Sequence, residues 1–105
     1  MEHATFFDDE CADLALTHRK GAMVVPTLLV VHTLRSRAHL MPEWAMKKLL
    51  YVADKMASAI SLAHKRGVPI ALGTDSLTYG PDSANPWGFH GTELRLLVEL
   101  AGLWF

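Results

Sequence analysis

The sequence predicts an α/β fold in which short parallel strands alternate with amphipathic helices. Three observations predict it. Apolar runs at residues 23–25 and 68–72 are unbroken by polar alternation, which suits strands buried on both faces. Helical periodicity fills the stretches around these runs. Glycines at 21 and 67 fall where helices should stop. A length of 105 residues is room for one domain, spanning 1–105.

Each element follows from local chemistry. Asp8 or Asp9 can cap a helix over about residues 8–20, along which Cys11, Leu14, Ala15 and His18 recur at helical spacing. His18, Arg19 and Lys20 place positive charge at its C-terminal end. Met23 to Val25 is a strand, and Pro26 closes it because proline has no donor for a ladder. Leu28 to Val31 either extends the strand or opens a loop, and residues 32–41 form a loop or a short helix.

Pro42 suits the first turn of the next helix, predicted over 43–66. Met46, Leu49, Leu50, Ala53, Met56, Ala57, Ile60 and Ala63 share one of its faces. Val68 to Leu72 is a second buried strand, ending in Gly73, Thr74, Asp75 and Ser76. Residues 76–91 form a long loop punctuated by Gly80, Pro81, Asn85, Pro86, Gly88 and Gly91, and long loops are usually functional. A last helix runs over 92–101, with Leu94, Leu97, Val98 and Ala101 on one face. A three-stranded parallel sheet with helices on one side leaves edges and a face uncovered. The chain therefore reads as a piece of something larger.

Composition narrows the function. The chain is 50% hydrophobic and 20% charged, which excludes a disordered tail or a fibre. Ten basic against eleven acidic residues leave a net charge of -1, no field for nucleic acid or an anionic membrane. A single cysteine, Cys11, excludes an internal disulfide and fits a reducing compartment. The longest apolar run, 21–31, is interrupted by Pro26 and too short to span a bilayer. The acidic opening segment is unlike a signal peptide, so the expected location is cytoplasmic.

Three residues stand where a β/α barrel keeps its chemistry, at the C-terminal ends of strands: His3, Thr27 and Asp75. Asp75 could ligate a metal or act as base toward a water, and a His3 nitrogen suits zinc. The sequence holds no HxH, HExxH or CxxC. Cys11, on an apolar helix face, is expected to be a small buried hydrophobe. Trp44, Trp87, Trp104 and Phe105 should pack between elements, and the Trp104–Phe105 pair needs a cover.

Four segments carry a family resemblance. EHATFFDDE over 2–10, MVVPTL over 23–28, GVPIALGTDS over 67–76 and GTELRLLVELAG over 91–102 resemble, in order, segments of metal-dependent amidohydrolases. The nearest likeness is to the imidazolonepropionase-like and prolidase-like branch. The resemblance implies a partial (β/α)8 barrel comprising strands 6–8, with His3, Thr27 and Asp75 ending those strands. It implies His3 as metal ligand or polariser of the substrate, and Asp75 as metal ligand and proton acceptor from the attacking water. Thr27 and His90 would contact the substrate. The implied cofactor is a divalent metal, zinc by preference, and the substrate a small amide, dipeptide or cyclic amide. The family's HxH, its strand-4 lysine and its strand-5 histidine have no counterpart here. Met1 falls inside an expected strand, as in a truncated or internal start, and the isolated chain is expected to be inactive.

A second reading is a non-catalytic module. Three βα units with open edges would self-associate into a homo-oligomer, burying the face that further units would cover.

Overall fold

Asp8 begins the first helix as expected: its carboxylate accepts the Cys11 backbone N–H at 2.9 Å, which holds its pKa below the ordinary value. In the computed structural model, which describes residues 1–18, 21–37, 39, 41–76 and 87–103, this helix is α1, Asp9–Thr17. Helix α2 is Leu28–Ser36, α3 is Glu43–Lys65 and α4 is Gly91–Ala101. Arg19, Lys20, residues 77–86 of the expected loop, and the Trp104–Phe105 pair lie outside the described residues.

Helix α3 matches its prediction closely. Pro42 stands at its N-cap and Arg66 at its C-cap, and Gly67 follows at φ 74°, a left-handed turn that glycine adopts without strain. Leu49, Ala53, Met56, Ala59, Ile60 and Ala63 are buried, one stripe along the helix; of the expected face, Leu50 is exposed and Met46 and Ala57 are half-buried, while Ala59 joins the buried set. The Arg66 side chain bonds both Asp9 and Asp13, tying the end of α3 to α1.

Two expectations need correction. Leu28 to Val31 is neither strand nor loop but the first turn of α2. Its branched residues override weak local preference because Leu28, Leu29 and Val31 pack into the core against α3 and α4. In α4, the buried stripe is Glu93, Leu96, Leu97 and Ala101, whereas Leu94 and Val98 are exposed. The face is rotated from the expected one because a carboxylate, Glu93, has a buried task.

The expected strands are reduced to two isolated bridges among the described residues, both parallel: Glu2 with Val25 and Val24 with Ile70. Pro26 and Pro69 explain the brevity, since neither can donate to a ladder. Four backbone hydrogen bonds hold the three segments side by side. Val25 N–H donates to the Met1 carbonyl at 2.8 Å and His3 N–H to the Val25 carbonyl at 2.9 Å. Val24 N–H donates to the Pro69 carbonyl and Ala71 N–H to the Val24 carbonyl, each at 2.9 Å. Val24–Val25 is thus central, with 1–3 and 69–71 flanking it.

Apolar residues form two clusters. One lies among α2, α3 and α4 and includes Leu29, Met56, Ile60 and Leu97. The other joins α1 to the C-terminal half of α3 through Phe7, Ala12, Val24, Ala63 and Val68. Cys11 is only partly buried at the edge of this second cluster, so its expected full burial is not met. Ile70 packs against both clusters, so the bridged segments lie where the two meet.

Candidate functional site

Parallel pairing runs the three segments in the same direction, so the residues that follow them leave toward the same end of the bridged segments. His3 comes directly after the bridged Glu2, Thr27 two residues after Val25, and Asp75 five residues after Ile70. His3 and Thr27 touch: Nδ1 of the imidazole lies 2.9 Å from Thr27 Oγ1. Thr27 itself is buried, only 4% exposed.

The third segment is pressed against the second at Gly73. A Cβ there would lie 2.6 Å from Val25 Cγ1, 3.0 Å from the Pro26 carbonyl oxygen and 3.5 Å from Thr27 Cγ2. Only glycine admits so close an approach. This contact brings Gly73 to the Val25–Thr27 stretch two residues before Asp75.

Among the described residues, His3, Ala4 and Asp75 are the non-glycine residues with left-handed backbone, at φ 62°, 51° and 51°. Such a conformation costs of order 1 kcal/mol per residue and persists where surrounding structure imposes it. Two of the three are the residues that the sequence singles out for chemistry. Next to Asp75, the Ser76 hydroxyl oxygen is buried without a hydrogen-bond partner among the described residues.

Thr27 occupies the N-cap position of α2 but makes no capping hydrogen bond. The cap comes from α4 instead. The fully buried Glu93 carboxylate accepts the Leu28 N–H at 2.8 Å through Oε1 and the Leu29 N–H at 2.6 Å through Oε2. Burial pushes its pKa above the ordinary carboxylate value, and the two amide hydrogen bonds oppose this in part. Sequence reasoning missed this role. The available signal was a carboxylate in the first turn of a helix, on the side facing another helix's start.

His90 stands at the N-cap of α4, where it makes no capping bond, and its ring meets Trp87 edge to face at a centroid distance of 5.2 Å. A cleft of about 440 Å³ opens between α2 and α4, lined by Leu29, His32, Thr33, Arg37, Phe89 and Arg95 among others; His3, Thr27 and Asp75 do not line it. Among the described residues no group of three or more His, Cys, Asp or Glu could hold an ion. His3 and Asp75 offer two donors where catalytic zinc takes three from protein. Likewise, no helix among the described residues is long and apolar enough to cross a membrane.

The fold is shared with part of a larger protein. The crystal structure of an uncharacterized protein superposes with a TM-score of 0.71 at 28% identity, over 96% of this chain and 24% of that one. A relative with a named activity is ochratoxinase of Aspergillus niger, which is 33% identical over 104 residues. That alignment takes in 98% of this chain and 20% of ochratoxinase. The ochratoxinase crystal structure superposes with a TM-score of 0.75 at 31% identity, over 97% of this chain and 21% of the enzyme. The chain is thus homologous to a segment about one fifth the length of that relative. No protein-family profile matches the sequence.

Proposed function

We propose that this chain is an amidohydrolase-like segment that supplies one rim of a site hydrolysing an amide C–N bond. The observation that carries the reading is the rim itself. His3 and Asp75, both in left-handed backbone, follow parallel segments on either side of the one that ends at Thr27. Homology to ochratoxinase, an enzyme whose name says that it acts on ochratoxin, supports the reaction class. The proposal extends to a partial (β/α)8 barrel, with the two parallel bridges as what is present of its strands 6–8. It extends also to the imidazolonepropionase-like and prolidase-like branch, on the four segments quoted above.

The residues divide the work. With Nδ1 occupied by Thr27, the His3 imidazole keeps Nε2 for a substrate oxygen or another ligand. Asp75 would accept the proton of the attacking water. Thr27 and His90 are the proposed substrate contacts. Zinc would polarise the scissile carbonyl in such a site, but two donors do not hold it, so further ligands would have to come from beyond the described residues.

The test is a segment exchange. These residues replace the matching fifth of ochratoxinase, and release of amine from an amide substrate is followed. The proposal expects turnover in the exchanged enzyme and its loss in Asp75→Asn and His3→Ala. A folded exchanged enzyme whose turnover ignores both substitutions would sink it. A self-associating module is the second reading, favoured by the exposure of Phe6, Trp44 and Phe89 at 64%, 72% and 60%.

A further inference from the structure

The cap of α2 is unusual in its division of labour. A threonine at an N-cap ordinarily turns its hydroxyl onto the backbone N–H of the second or third helical residue. Thr27 does not: the second amide, Leu29, is taken with that of Leu28 by the Glu93 carboxylate, and the Thr27 side chain makes no capping bond to the third, Val30. The Thr27 hydroxyl instead meets His3 Nδ1. The Glu93 bonds are charge-assisted and buried at a helix N-terminus, a setting where they outcompete a neutral hydroxyl. We propose that Glu93 is a positioning residue for His3: by capping α2 from α4, it releases the Thr27 hydroxyl from helix capping to hold the imidazole.

Loss of the carboxylate should then reverse the arrangement. The freed Leu29 amide would recruit Thr27 Oγ1, and the His3 ring would lose its partner. The importance of this for hydrolysis rests on the function proposed above, but the linkage itself is read without any turnover.

The experiment uses the full chain and follows the His3 ring nitrogens by long-range proton–nitrogen correlation NMR. Thr27→Val defines the signal of an unpartnered Nδ1. Glu93→Ala should move the His3 Nδ1 resonance to the position seen in Thr27→Val, and the double variant should move it no further. Glu93→Gln, which keeps one acceptor oxygen and the side-chain shape, should give an intermediate shift and serves if the alanine variant does not fold. Leu96→Ala is the structural control. It empties a buried position of the same helix and should leave the His3 signals in place. The proposal is overturned if the glutamate variants leave Nδ1 at its wild-type position, if Leu96→Ala moves it equally, or if Thr27→Val has no effect. Each result stands whatever the segment-exchange assay returns.

Discussion

Gly73→Ala tests the close approach on which the rim depends. The new Cβ would lie 2.6 Å from Val25 Cγ1 and 3.0 Å from the Pro26 carbonyl oxygen. Reaching ordinary contact with the methyl group requires the two to part by about 0.8 Å, and neither side yields easily. Val25 is β-branched and stiff at χ1, and its backbone bonds the first segment through both N–H and C=O. The Pro26 oxygen is main chain and cannot rotate away. Overpacking of this kind costs about 1–3 kcal/mol. The alanine also restricts the unfolded chain, a gain of about 0.4–1 kcal/mol. Taking the middle of each range, the net expectation is a loss of about 1.3 kcal/mol. Urea unfolding followed by circular dichroism should show a lower midpoint with an unchanged slope. A midpoint equal to or above the wild type would refute the claim that the third segment is packed on the second.

Other perturbations follow from the same geometry. Ile60→Ala, at a fully buried site among α2, α3 and α4, should cost about 2–5 kcal/mol in the same assay, while Trp44→Ala on the surface should change stability by less than about 0.5 kcal/mol. Burial raises the pKa of Glu93 above 4.5, so between the unfolded and folded values the native chain binds a proton that the unfolded chain has released. That contribution to stability is present in full below the unfolded value and is lost as pH rises through the folded one. The stability of the wild type relative to Glu93→Gln should therefore decline as pH is raised from 4.5, and a difference that stays flat or widens would contradict it. Light scattering on the eluted chain should give a molar mass above 11.6 kDa if the exposed aromatic residues mediate self-association; a peak at the monomer mass would remove that reading.

The sequence was most legible where punctuation and periodicity agreed. Pro42 and Gly67 bracket α3, and its buried stripe follows the apolar spacing, because a long helix packed along one side leaves little freedom of phase. Helix α2 was hidden because a run of two leucines and two valines carries no period, and its cap comes from 65 residues away. The phase of α4 was misjudged for the same cause: a buried carboxylate makes sense only once its distant partners are known. Among the candidate residues, His3 and Thr27 were placed on one rim by strand order alone, and the structure brings them into contact. The resemblance implies His90 as a substrate contact, and in the structure its ring meets Trp87. Strand length was overestimated, since an apolar run shows where a segment is buried and not how far its ladder extends past Pro26 and Pro69.

Proton–proton Overhauser contacts in the full chain in solution probe the arrangement of the three segments itself. Backbone contacts are expected in parallel register between Glu2 and Val25 and between Val24 and Ile70, together with a contact from the Thr27 methyl to Gly73. Those three together would place His3, Thr27 and Asp75 along a single rim. Antiparallel register, or a Thr27 methyl without any contact to Gly73, would contradict it.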